Sequence, residues 1–238
     1  GPAPGRPPVP IVHSLLSRRN RCDRTPGNSF VEALLGDGFD VYLINWGEPD
    51  ELESHNTLET YSDVLLPQMV SACLESSGAE SLSLFGYCLG GVLALLYMAG
   101  HTSARVDRLI TMATPVDFDH ALAPFAQMVR DGRVDVRTIL DGTGNVPADV
   151  IFNIFRLMAP TSEITGYAAL WHNLWNDDFV DEFQRMTGWS RDQVPFAGAA
   201  MLQCADLLAT QNLLATGQFP LGGRIVDLKN ITVPFLNI

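Results

Sequence analysis

Apolar and polar positions along this chain follow two periods, one of strands and one of helices. Val9-Pro10-Ile11-Val12 is a short apolar run that reads as a buried strand. Gly1 to Pro10 holds five prolines, which exclude a helix or a central strand before it. His13 to Arg18 follows as a loop. Ser29 to Leu35 has the spacing of a short helix, with Asn28 or Ser29 as N-cap and Gly36 and Gly38 as stops. Phe39 to Trp46 is a strong strand signal, ended by Gly47-Glu48-Pro49-Asp50. Thr57 to Ser76 sets Leu58, Tyr61, Leu65, Met69, Ala72 and Cys73 at helical spacing, with a kink expected at Pro67 and a stop at Gly78. Ser81 to Phe85 is apolar and strand-like. A tight turn, Gly86 to Gly91, then leads into an apolar helix ending at Ala99. Arg108 to Ala113 is a further strand, closed by Thr114-Pro115.

Strands and helices therefore alternate up to Pro115. Such alternation implies a parallel sheet with helices on its faces. From Val116 to Asp227 the alternation stops. No clear strand pattern occurs there, and helical pieces broken by Gly and Pro are expected, one of them starting at Asn176-Asp177-Asp178. Ile231 to Ile238 returns to strand pattern. The expected organisation is a sheet core over residues 1–115, an inserted helical lid over 116–227, and a return strand over 228–238. A separate small helical domain is the alternative for the middle stretch.

Composition narrows the class. The 238 residues are 47% hydrophobic and 18% charged, enough to bury a large core. Fifteen basic residues face 27 acidic ones, a net charge of −12, and no Lys/Arg cluster offsets it. Nucleic acid is not an expected partner. No apolar run is long enough for a membrane span, and nothing at the start reads as a signal peptide. The four cysteines, Cys22, Cys73, Cys88 and Cys204, are widely and irregularly spaced. That pattern predicts reduced thiols in a cytoplasm rather than disulfides or zinc. No metal or nucleotide cofactor is expected, because neither a ligand-spaced cluster nor a phosphate-binding loop is present.

Chemistry concentrates at Gly86-Tyr87-Cys88-Leu89-Gly90, which fits G-x-S-x-G with cysteine in the serine slot. The nucleophile of such a box sits on a sharp strand-to-helix turn, and its flanking residues must be small. Cys88 is the expected nucleophile. The helix N-terminus favours its thiolate. The backbone N–H of Leu89 is an expected oxyanion donor, and a second is expected near Leu15 or Leu16, after the first strand. Cys73 and Cys204 read as buried and structural, and Cys22 lies among Arg19, Arg21 and Arg24 with no base. The five histidines, His13, His55, His101, His120 and His172, all miss the position expected for a base, which follows the nucleophile and the acid in chain order. His13 reads as loop architecture beside the oxyanion segment. Asp117 reads more readily as a helix cap than as an acid.

Five segments carry a family resemblance. Asp40-Val41-Tyr42-Leu43-Ile44-Asn45-Trp46-Gly47 is similar to the DVYLIDWG strand of polyhydroxyalkanoate synthases, with Asn45 where that family usually has Asp. Gly86 to Gly91 resembles their cysteine-bearing lipase-like box. Met112 to Phe118, Leu174 to Asp177 and Val226 to Pro234 resemble further segments in the same order. The resemblance implies an α/β-hydrolase core with a helical cap, cut at both ends. It implies a substrate that is an (R)-3-hydroxyacyl-CoA thioester, an acyl group held on Cys88, release of CoA and a growing polyester chain. It implies a homodimer, or a second synthase subunit, at the surface of a cytoplasmic polyester granule. The family's Asp and His match no position up to Ile238, so the chain by itself is expected to be inactive. Two other readings share the box: a dienelactone-hydrolase-like cysteine hydrolase, and a non-catalytic scaffold or granule-binding subunit.

Overall fold

In the computed structural model the described residues are 6–18, 29–101, 105–158 and 161–238. Pro2 and Pro4, Cys22 with Arg19, Arg21 and Arg24, and the alternative cap Asn28 lie outside them.

A five-stranded parallel sheet organises the chain. Its strands are β1 (Val9–Val12), β2 (Val41–Leu43), β3 (Leu82–Tyr87), β4 (Val106–Met112) and, much later in sequence, β9 (Phe235–Asn237), in the spatial order β2-β1-β3-β4-β9. All four pairings are parallel. Parallel strands are buried on both faces, so side chains of alternating direction enter two separate cores. Val9, Ile11 and Phe85 pack under the first helix, α1 (Phe30–Gly36), with Val31. Val12, Leu82 and Leu84 face the larger cluster. Ser29 caps α1, its hydroxyl accepting the Glu32 N–H at 3.0 Å.

Helix α3 (Leu89–Gly100) is the axle of the larger core. Every residue from Leu89 to Ala99 is buried, which explains why its sequence shows no polar face. Helix α2 (Leu66–Ser77) packs beside it. The expected kink at Pro67 takes another form. Residues Thr60–Leu65 form a π-helical turn, and the α-helix restarts with Pro67 in its first turn. Proline lacks an N–H to donate to the preceding turn, and the first helical turn is where that loss costs nothing. Gly78, with φ 70°, closes the helix as expected.

Strand limits differ from the sequence pattern in two places. Only Val41–Leu43 of the Phe39–Trp46 run pairs in the ladder, because this is an edge strand with a partner on one side. The strand predicted to end at Phe85 continues to Tyr87, and the following helix begins at Leu89 rather than Gly91.

The stretch between β4 and β9 is mainly helical: α4 (Phe118–Ala121), α5 (Ala123–Arg130), α6 (Ala148–Met158), α7 (Ser162–His172), α8 (Asp177–Arg191), α9 (Gly198–Gln203) and α10 (Leu213–Thr216). The expectation that it holds no strand is corrected. Asn145–Val146 (β5) pairs antiparallel with Phe196–Ala197 (β6), and Phe219–Leu221 (β7) forms a hairpin with Arg224–Val226 (β8). Two- and three-residue strands are too short to leave an alternating pattern. Arg224 holds the hairpin against the core through paired bonds to Asp63 of 2.8 and 2.9 Å, and His101 at the end of α3 meets the same carboxylate at 3.0 Å. Among the described residues no helix is long and apolar enough to cross a membrane.

Candidate active site

β3 runs between β1 and β4 and ends in the turn that carries Cys88. The backbone there has φ 55° and ψ −126°, a conformation that L-residues rarely adopt. Its neighbours hold it. The Cys88 N–H donates to the Met112 carbonyl at 2.9 Å, and the Cys88 carbonyl accepts from Gly91 at 2.9 Å and Val92 at 3.3 Å, which starts α3. The glycines are required by contact distance. A Cβ on Gly86 would stand 2.5 Å from the Gly91 Cα, and one on Gly90 would fall on the backbone carbonyls of Val12 and His13. The loop after β1 thus lies directly against the turn. Ala113, after β4, is also left-handed with φ 50° and lies on the same rim.

Cys88 opens into a cavity of about 430 Å³. Its core wall includes Leu16, Leu89, Ala113, Thr114 and Asn237, and its other wall comes from the long insertion, including Phe118, Ile151, Phe155, Phe196 and Met201. Almost the whole lining is aliphatic or aromatic. Such a space suits an apolar acyl group and disfavours water. Cys88 sits at the N-terminus of a twelve-residue helix, whose dipole favours a thiolate. The two other described thiols are in a different condition. Burial pushes Cys204 up to about 12, and burial followed by the charge of Asp40 pushes Cys73 up to about 12.

The remaining candidates divide clearly. Leu89 lines the cavity and is the first residue of α3, where an N–H has no carbonyl four residues back within the helix. Leu16 lines the cavity, and its N–H meets the Ser14 hydroxyl at 3.3 Å. Leu15 is buried in the core and borders a separate pocket of about 30 Å³ with Trp46. His13 is 1% exposed. Its Nδ1 lies 2.8 Å from the Ser14 carbonyl and its own carbonyl accepts from the Trp46 indole, so it packs the loop. His101 belongs to the Asp63 pair, and His172 closes α7. Asp117 caps α4, accepting the Asp119 N–H at 3.0 Å. The Asn212 amide at 2.9 Å, then His120 at 2.8 Å, hold the Asp117 carboxyl below the usual range. Among the described residues, no His, Asp or Glu lines the cavity. Nor do three or more His, Cys, Asp or Glu side chains gather as a metal site.

Sequence reasoning missed a second thiol on the cavity wall, Cys204, and a side-chain amide there, Asn237. Asn237 had a signal: it is a polar residue in an otherwise apolar terminal strand. Cys204 had none, because nothing local tells which face of its helix meets a cavity.

A parallel sheet, a strained turn after its central strand and a thiol on that turn define a class. This chain belongs to the alpha/beta-hydrolase fold family, whose pattern matches residues 7–150. It is 35% identical over 232 residues to the poly(3-hydroxyalkanoate) polymerase subunit PhaC of Haloferax mediterranei, a match covering 97% of this chain and 47% of that one. The PhaC subunit of Allochromatium vinosum is 36% identical, with 99% of this chain and 66% of that one covered. The Synechocystis PhaC subunit is 33% identical, with 97% and 62% covered. The chain therefore spans about half to two thirds of the length of these relatives. The resemblance drawn from five short segments extends over nearly all of it.

Proposed function

We propose that this chain carries the nucleophile and acyl cavity of a polyhydroxyalkanoate polymerase. The Cys88 thiolate attacks the carbonyl carbon of an (R)-3-hydroxyacyl-CoA thioester. A tetrahedral oxyanion forms beside the Leu89 N–H, with a second donor from the segment at Leu15 and Leu16. The bond to the CoA sulfur breaks, CoA leaves as its thiolate and takes a proton from solvent, and the acyl group stays on Cys88 as a new thioester. The 3-hydroxyl of another hydroxyacyl unit then attacks that thioester and loses its proton to a histidine base. An ester bond forms and the Cys88 thiolate is released. The family's Asp and His, which match no position up to Ile238, are the groups that take this proton in the resemblance.

The observation that carries the reading is the opening of the strained Cys88 turn into an apolar cavity of about 430 Å³. Exchange of one thioester for another is nearly balanced, so a thiol stores the acyl group at little cost. The apolar walls protect that intermediate from hydrolysis. The substrate partners are the CoA thioester and the growing polyester. The assembly is a second copy or a second subunit at a granule surface in the cytoplasm. No metal or other cofactor takes part.

Exposure to (R)-3-hydroxybutyryl-CoA should release CoA and add one acyl mass to the peptide bearing Cys88. Cys88→Ala should do neither. Acylation that persists in Cys88→Ala sinks the proposal. Turnover of a lactone without CoA would instead support the dienelactone-hydrolase reading.

A further inference from the structure

β9 ends at the cavity, and open α/β sheets bind ligands beyond the carboxyl ends of their strands. Asn237, the last residue of β9, pairs in register with Thr111 of β4 and lines the same cavity as Cys88. Among the described residues, only two lining side chains have an amide or hydroxyl group, Thr114 and Asn237. Thr114 turns its hydroxyl to the Met112 carbonyl at 3.3 Å.

The Asn237 amide has a defined orientation. Thr111 is wholly buried, and its hydroxyl donates to Asn237 Oδ1 at 2.8 Å. With the oxygen held by Thr111 on an exposed side chain, the Nδ2 group is the end left to meet a ligand. Its side of the site is also defined. The expected oxyanion donors lie at the Cys88 turn and on the β1 side of β3, whereas β9 lies on the far side of β4. Two strand spacings, about 10 Å, separate the axes of β3 and β9. A cysteine side chain, a three-carbon acyl unit and one hydrogen bond to an asparagine side chain together reach that far.

We propose that Asn237 Nδ2 donates a hydrogen bond to the 3-oxygen of the acyl group held on Cys88. The inference rests on the reading of Cys88 as the acyl acceptor. The 3-oxygen is a hydroxyl in a fresh unit and an ester oxygen after extension, and it accepts in both forms. As an acceptor, a hydroxyl keeps its own hydrogen available to the base. One donor on one side of an otherwise apolar cavity also selects the configuration at carbon 3, because only one enantiomer turns its oxygen toward β9. An acyl group without this oxygen forms one hydrogen bond fewer with the site.

The test compares Cys88 acylation by (R)-3-hydroxybutyryl-CoA and by butyryl-CoA in the whole protein, followed by thiol release and intact mass. Asn237→Asp keeps an acceptor for Thr111 and removes the donor. Asn237→Leu removes both, and Thr111→Val frees the amide to turn over. The parent should favour the hydroxylated substrate. Both Asn237 variants should lose about tenfold of that preference, entirely through the hydroxylated substrate, and should accept the S enantiomer relatively better. Thr111→Val should lose part of it. Equal slowing of both substrates would reduce Asn237 to a structural role. Unchanged selectivity with Cys88 still acylated would overturn the Asn237 inference alone. A parent protein acylated by neither substrate would remove the reading of Cys88, and this inference with it.

Discussion

Cys88 and its glycines behave as one unit. The turn places a side chain at the top of β3 only because the backbone adopts φ 55°, and that backbone fits only because two neighbouring positions lack a Cβ. At Gly90 the obstruction is backbone on another segment, the carbonyls of Val12 and His13, which cannot swing aside as a side chain would. Gly90→Ala is therefore expected to lower stability by about 3 kcal/mol, seen as a fall in the urea midpoint, and to abolish Cys88 acylation. An alanine variant with the parent's midpoint would show that the β1 loop yields. This part of the site was legible in sequence, since G-x-C-x-G names both the nucleophile and its steric needs. Asn237 left only the signal of a polar residue in an apolar run, because its bond to Thr111 spans 126 residues of the chain.

Elements of the insertion are tied to one another by polar contacts at their ends. Asn212, left-handed with φ 52°, accepts the Phe118 N–H at 3.0 Å and donates to Asp117 and Asp119 at 2.9 and 3.1 Å. It joins the segment before α10 to the start of α4. The Asp117 carboxyl is lowered first by this amide and then by His120, so its contribution has a definite sign. A depressed carboxylate stabilises the fold above its unfolded value of 3.8. That stabilisation disappears as pH falls through the depressed folded value. Asp117→Asn should be less stable than the parent at pH 6, and the gap should narrow as pH falls through the depressed value in paired denaturation curves. A constant gap across this range would mean that the carboxyl charge is irrelevant. The cap was legible as Asp117 ahead of a helical run, but its Asn212 partner was not. Helix periodicity likewise located α2 while missing the π-helical turn, because a π turn changes hydrogen bonding without changing which residues are apolar.

At the scale of the molecule, one question is which of several chemically similar thiols reacts. Cys73 and Cys204 are raised to about 12 by burial, whereas Cys88 lies at a helix N-terminus on an accessible turn. At pH 8 a thiol with a value near 12 is roughly one part in ten thousand thiolate, and the thiolate is the reacting form. Brief treatment of the native protein with iodoacetamide should label Cys88 and spare Cys73 and Cys204, with all three labelled after unfolding. Peptide mapping that finds equal native labelling would contradict the burial account. Cys204 also shows the limit of pattern reading, being structural by its burial and yet part of the cavity wall.

The sequence by itself determined the local and periodic features. These are the parallel β/α order, the glycine-flanked cysteine turn, the fully apolar α3, the break in alternation after Pro115 and the strand pattern at the end. Each follows from side-chain sterics or burial period within a short window. Tertiary structure alone decided the spatial order β2-β1-β3-β4-β9 and the short β5–β6 and β7–β8 pairs. It alone decided that Phe118, Ile151, Phe196 and Met201 line a cavity with Cys88, and that Thr111 bonds to Asn237 on the same rim. The reason is that a cavity and a cross-strand hydrogen bond are properties of segments far apart in the chain. No local period records which of those segments will meet.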